Sequence, residues 1–420
     1  MQDDFRSTGS VKPAPKLTPT LPQNNILEQV VPFETPDQVS QHDEAAPSLA
    51  VADSNEAPKP PRGTGHHWFN LPWPPTKREV IFGSIIIAVA LIGITGFLVL
   101  KKDDVKPAAA VATVKKAAPP ASTVVPSTLT GLSVAPEVNQ RPVVSAMIEN
   151  SQAARPQSGL SEAGVIFEAI AEGGITRFLA LFQDQQPTNI GPVRSARPYF
   201  VQWSEGFRAA YAHIGGSPDA LANIKSWNVQ DLNQFANSAP FHRVSSRPAP
   251  HNMYSSIVEL AALATQKGYK SEYNGFERKA AATTKQTTAT NIDFTISSAL
   301  YNSHFGYDTA SNTYLRSEGG APQTDSNNSK QLAPSVVIAI IVPLGQGGRT
   351  AQGGAYSNYN PLGTGSAYIF QDGGVTTGNW TKPSNTAQIS FTDSAGAAVK
   401  LNPGQTWITA LSASSKVIYK

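Results

Sequence analysis

The chain has 420 residues, of which 33 are proline, with 40% apolar and 15% charged residues, so a large part of it cannot build a core. It has no cysteine, which excludes disulfides, thiolate catalysis, zinc–thiolate and iron–sulfur sites, and lipid attached through cysteine. The net charge of +3 divides into 7 Lys/Arg against 10 Asp/Glu over residues 1–100 and 26 against 20 beyond, an excess too small and dispersed for a nucleic-acid footprint; no nucleic-acid partner is expected.

Residues 1–67 are rich in Pro, Gln, Asn, Ser and Asp and show no period of 2 or 3.6, which predicts a disordered tail running to about residue 79. No leader of charged then apolar residues begins near Met1. Val80 to Leu100 is a run of 21 residues without a charge, flanked by Trp68, Trp73, Lys77 and Arg78 before it and Lys101 and Lys102 after it. That length spans about 30 Å as a helix and predicts one transmembrane helix, residues 80–100, making the membrane itself a partner. Lys101, Lys102, Lys106, Lys115 and Lys116 outnumber Lys77 and Arg78, so charge counting alone puts the C-terminal side inside. A signal-anchor helix delivers a large C-terminal part outside instead, and an extracytoplasmic C-terminal part is the expectation taken. Residues 101–138, rich in Ala and Pro, predict a semi-rigid linker of about 100 Å.

The folded part reads as an α/β (α+β) two-domain ectodomain: a mixed α/β domain over residues 139–280, then a mostly antiparallel β domain over 290–420. In the first, Val143–Asn150 and Thr176–Gln183 predict strands, and Arg197–Phe207 and Met253–Gly268 predict helices. In the second, short alternating runs between turn residues predict strands at 291–297, 303–308, 313–318, 335–344, 365–371, 388–393, 398–404 and 406–412. The glycine-rich stretch Gly345–Gly354 predicts a mobile loop.

No GxSxG elbow, HExxH, phosphate loop or GxGxxG is present, so no catalytic residue can be assigned and no cofactor is expected. The distinctive feature is arginine usage: residues 141–250 hold eight arginines and one lysine, Lys225, whereas beyond residue 250 nine lysines face three arginines. A planar fork is preferred where carboxylate or phosphate is gripped by two parallel bonds. The same stretch holds eight carboxylates, so internal ion pairs and an anionic ligand are both open readings. In GPVRSARPYF, Gly191–Pro192 predicts a turn, Arg194 and Arg197 lie three apart, and Pro198 suits the first turn of a helix whose free N–H groups favour an anion. His213, His242 and His251 are spaced 29 and 9 apart, which matches no common metal motif; no metal site is expected. Trp203, Trp227, Trp380 and Trp407 read most simply as core.

The strings RPVVSAMIENSQAARPQSGLSEAGVIFEAIAEGGITRFLALF, IGPVRSARPYF, HIGGS, FHRVSSRPAPHNMY and LNPGQTWI resemble the YerB-like family of bacterial envelope proteins, from about residue 141 to the C-terminus. The resemblance implies two consecutive domains of unknown function displayed outside the membrane. Family members are often anchored by a lipidated cysteine; this chain has none, and its apolar span takes that place. Together these readings predict a membrane-anchored binding or scaffolding protein of the envelope, whose partner is an anionic envelope polymer or an envelope protein. Its ligand is expected in one cleft lined by Arg155, Arg177, Arg194, Arg197, Arg243, Arg247 and His251, with Glu149 and Glu172 orienting them. The alternative is an envelope hydrolase or transferase acting on an anionic wall polymer.

Overall fold

A computed structural model describes residues 123–280, 287–350 and 353–420. The expected tail, the apolar span Val80–Leu100 and the first part of the linker lie outside the described residues. No helix among the described residues is long and apolar enough to cross a membrane. The linker expected over 101–138 ends earlier than predicted. Val125–Pro126 pairs with Ser133–Val134, and Pro136–Gln140 forms a 3-10 turn. Asp184 is the physical reason: Ser127 Oγ donates to its carboxylate at 2.6 Å, Thr130 Oγ1 donates to the other oxygen, and Leu129 enters the core between them.

The described protein is mostly β with few helices. In the first half, β1 (Val144–Glu149), β2 (Val165–Glu172) and β3 (Ile175–Phe182) are near-continuous apolar runs, the pattern of strands covered on both faces, and nearly every residue in them is buried. Gly173 and Gly174, both at positive φ, close the β2–β3 hairpin, a backbone that a side chain would strain. Helix α1 (Pro198–Glu205) starts on its proline as predicted. Strands β4 (Ala210–His213) and β5 (Asp231–Asn233) join the sheet in parallel with β1, linked by α2 (Pro218–Ser226). The helix predicted over 253–268 begins only at α3 (Ile257–Gln266), because β6 (Phe241–Arg243) pairs with β7 (Met253–Ser255). Ser256 caps α3 by accepting the N–H of Glu259.

In the second half, β8 (Asn291–Thr295), β9 (Ser303–Asp308) and β10 (Thr313–Glu318) form an antiparallel sheet. Next come β11 (Val336–Ile341) and the hairpin of β12 (Leu344–Arg349) and β13 (Ala355–Tyr359). Residues 345–349 of the expected mobile loop thus pair as a strand, and residues 351 and 352 lie outside the described residues. The Tyr356 ring lies across Gly347, where a Cβ would fall 2.3 Å from it, so the glycines serve close packing of strand against ring. The remaining strands are β14 (Gly363–Gln371), β15 (Gly374–Lys382), β16 (Ser390–Asp393), β17 (Thr406–Leu411) and β18 (Lys416–Tyr419). Residues 398–404, predicted as a strand, make only isolated bridges.

The main sheet runs β16-β15-β14-β11-β17-β2-β3-β1-β4-β5, so the halves meet where β17 pairs in parallel with β2. A second sheet, built on β10-β9-β8-β18, faces it, with Phe305 edge-on to Trp407 at 6.4 Å and Phe294 tilted against Phe370 at 6.1 Å. Trp203, Trp380 and Trp407 are buried in this core as expected, and Trp227 packs partly buried against it.

Candidate functional site

β1 and β4 pair from Val144 to Ala146 and then separate. The segment 193–196 enters the gap. Arg194 N donates to Met147 O at 2.9 Å, Arg194 O accepts from Ile214 N at 3.1 Å, and Ala196 N donates to Gly215 O at 3.0 Å. Gly191–Pro192, predicted as a turn, runs extended beside β1 because Gly191 bridges Ser158 and Val193 bridges Ile148. The candidate site therefore lies at the C-terminal ends of parallel strands where neighbours diverge, the usual position for ligands in α/β sheets.

Two carboxylates organise it. Glu172, ending β2, accepts from Arg177 Nη2 at 2.9 Å, from Arg197 Nε at 3.0 Å and from Arg197 Nη2. Arg177 Nη1 donates to Ser195 O at 2.8 Å and Arg197 Nη1 to Ala196 O at 2.6 Å. Burial alone would raise the Glu172 carboxyl; the Arg177 and Arg197 guanidiniums outweigh it and hold the group below its ordinary range. Burial, followed by the Arg177 charge, lowers Arg197 in turn. Both guanidiniums are buried, and the anion they grip is the protein's own.

Glu149, ending β1, is buried. Its Oε1 accepts from Ser151 Oγ at 2.8 Å and lies 2.8 Å from His251 Nδ1; its Oε2 lies 3.4 Å from Arg194 Nε. Arg194 also reaches Pro250 O from Nη1 at 3.5 Å, yet its side chain is 24% exposed. Burial lowers its pKa, with Glu149 opposing. Across this cluster three guanidiniums face two carboxylates: Arg177 and Arg197 share Glu172 and Arg194, the most open of the three, pairs with Glu149, so the cluster as a whole carries one surplus positive charge.

The remaining residues predicted for the cleft stand elsewhere. Arg247 is spent on carbonyls, Nη1 to Ala153 O and Nη2 to Pro156 O, both at 2.7 Å. Arg243 is exposed, with Nη1 donating to Asn252 Oδ1 at 2.6 Å. Arg155 bonds Asn150 and Leu300 O, lies over the Tyr301 ring, and pairs with Glu318 at 3.3 Å beside a cavity of about 320 Å³. One cleft lined by all seven basic residues is not what forms. Six of the nine, Glu149, Glu172, Arg177, Arg194, Arg197 and His251, converge, and three do not: backbone carbonyls hold Arg247, the Asn252 side chain holds Arg243 and the second half of the chain holds Arg155.

Sequence reading missed the most buried charges. Arg316 on β10 is fully enclosed, with Nη2 donating to both oxygens of Glu168 at 2.9 Å and the guanidinium 4.4 Å from the Trp407 ring centre. Glu168 accepts further from Trp407 Nε1 at 3.0 Å and from Thr409 and Thr176. Glu318 accepts from Asn150 Nδ2 at 2.6 Å, and burial pushes its carboxyl up to about 7. Arg316 is one of only three arginines after residue 250, a signal present in composition but without a partner visible in sequence.

Comparison with known proteins matches two family models: residues 129–270 to the N-terminal domain, and residues 292–408 to the C-terminal domain, of a protein of unknown function, DUF3048. The chain is 33% identical over 302 residues to "Putative lipoprotein YerB" of Bacillus subtilis (strain 168), covering 70% of this chain and 88% of that protein. The crystal structure of the YerB protein from Bacillus subtilis superposes with a TM-score of 0.61 at 30% identity, covering 70% of this chain and 99% of that one. With both domain models in order along the chain and a relative spanned over most of its length, this chain belongs to the DUF3048 family, the family of YerB.

Proposed function

We propose that this protein is a membrane-anchored, extracytoplasmic binding or scaffolding protein of the bacterial cell envelope, which engages an anionic ligand at Arg194. The apolar span Val80–Leu100 and a relative named as a lipoprotein support tethering at a membrane. The observation that carries the ligand class is the charge arrangement. Arg177 and Arg197 are buried and both turned onto Glu172, while Arg194, paired with the enclosed Glu149, keeps part of its side chain open, in a cluster of three guanidiniums and two carboxylates. A planar donor in that state suits one carboxylate or phosphate.

Calorimetric titration of the full chain with a glycerol-phosphate polymer and with a polyuronate tests this. Binding is expected, and Arg194→Ala is expected to weaken it about tenfold or more, the worth of a hydrogen bond to a charged group. Absence of heat with both polymers, or binding untouched by Arg194→Ala, overturns the reading.

A further inference from the structure

Three histidines among the described residues face a carboxylate, and they differ in what each leaves free. His213 is fully buried and uses both nitrogens, Nδ1 on Gly215 O at 2.7 Å and Nε2 on Asp231 at 2.9 Å, so it holds structure. His304 pairs with Asp293 across a β8–β9 rung, and both are about half exposed, an arrangement worth little. His251 is different. Its carboxylate partner Glu149 is 4% exposed, its own ring is 22% exposed, and Nδ1 lies 2.8 Å from Oε1.

An ionised carboxylate only accepts, so Nδ1 presents its proton to Glu149, and in the neutral ring the lone pair stands on Nε2, at the opposite edge. Among the described residues Nε2 makes no hydrogen bond. The other oxygen of the same carboxylate neighbours Arg194 Nε at 3.4 Å. One buried glutamate thus fixes a proton acceptor and an anion-binding guanidinium side by side.

We propose that His251, oriented by Glu149, is a general base and the site hydrolyses a phosphodiester held at Arg194. This rests on Arg194 binding an anion, and goes beyond it by assigning a reaction. The proximity of the base to the guanidinium selects the substrate class. Because base and guanidinium flank the two oxygens of one carboxylate, the reaction assigned is at the gripped group itself, and the charged centre is the bond that breaks. A phosphodiester meets that condition, carrying one negative charge at the phosphorus under attack, and one charge is the surplus the cluster presents.

In the step, water adds to phosphorus as its proton passes to His251 Nε2; the P–O bond to the leaving group breaks on the opposite side, the departing oxygen leaves as the anion or takes a proton from solvent, and the imidazolium gives its proton back to solvent. Atoms and charge balance without an oxidant or reductant. Ser151 is not the nucleophile: its Oγ lies 3.3 Å from His251 Nδ1, the same nitrogen that faces Glu149, whereas a serine triad needs the hydroxyl and the carboxylate on opposite ring nitrogens.

The test is turnover of bis(4-nitrophenyl) phosphate by the full chain with a chelator present, alongside calorimetric binding of diphenyl phosphate. Wild type is expected to release 4-nitrophenolate. His251→Gln should lower kcat about a hundredfold or more with diphenyl phosphate binding retained, and Arg194→Ala should act mainly on KM. Glu149 orients both groups, so Glu149→Gln should lower kcat and raise KM together, and Glu149→Asp should recover part of both, a rescue that loss of structure would not produce. Binding without turnover, or turnover unchanged in His251→Gln, overturns the proposal and leaves the binding reading standing. Absence of binding removes both. Thermal melting of each variant identifies any that fails to fold, and in that case His251→Asn replaces His251→Gln.

Discussion

Glu318 shows what one buried residue does to the behaviour of the whole chain. Its side chain is 1% exposed, hydrogen-bonded by Asn150 and flanked by Arg155 and Arg316, and desolvation still dominates, so its carboxyl stands at about 7 against an ordinary 4.5. A carboxyl raised by folding is protonated more readily in the native than in the unfolded chain. Stability from this residue is therefore full below about pH 4.5 and is lost as pH rises toward 7. The loss amounts to about 3 kcal/mol as an upper figure, at 1.4 kcal/mol per pH unit. Denaturant midpoints measured from pH 4 to 8 should fall along that range in wild type and lose most of the slope in Glu318→Gln; equal slopes would show that Glu318 is ionised throughout. Glu172 works in the opposite sense, its lowered carboxyl adding stability that disappears only in acid.

The decisive contacts between elements are often glycines and caps rather than hydrophobic faces. Where β15 meets β16, Gly378 lies so close to its partner that a Cβ would stand 1.8 Å from Thr392 O. No rotamer relieves that clash, because the obstructing atom is backbone. Gly378→Ala should destabilise by roughly 2 kcal/mol or more through strain at the sheet edge. Hydrogen exchange should show the loss concentrated in Ser390–Asp393, with β11 and β17 protected as before. Protection unchanged along β16 would mean the two strands can separate at no cost. The contrast with Gly173 is useful: there a Cβ meets nothing, and the requirement is the positive φ of the hairpin alone.

At the scale of the molecule, the two family-matched halves share one sheet and one charge network. β2 pairs with β17, Trp407 packs on Phe178 at 5.3 Å, and Arg316 from the second half neutralises Glu168 from the first. Removing either half leaves a buried charge without its partner, which costs about 3–5 kcal/mol, and opens an apolar strand in the middle of the sheet. The full chain should unfold from residue 123 onward in a single transition with coincident tryptophan fluorescence and circular dichroism. Residues 123–280 expressed alone should show no cooperative melt. Two separated transitions, or a folded isolated half, would contradict this coupling.

How far the sequence could be read follows from which interactions are local. The apolar runs of β1, β2 and β3, the proline that opens α1 and the serine cap of α3 were legible because each depends on residues a few positions apart. Composition also singled out the arginines, and six of the nine predicted residues do converge at the ends of β1 and β2. Their partners were not legible. In Thr313–Glu318 the alternation is inverted, with Leu315 39% exposed while Arg316 and Glu318 are buried, because Glu168 and Asn150 wait on the facing sheet more than a hundred residues away in sequence. The sequence by itself determined the apolar span, the β-rich second half, the absence of thiol chemistry and the family. Only the tertiary structure decided which guanidinium stays open, since neutralisation by a distant carboxylate is a property of distance and burial that no local pattern encodes.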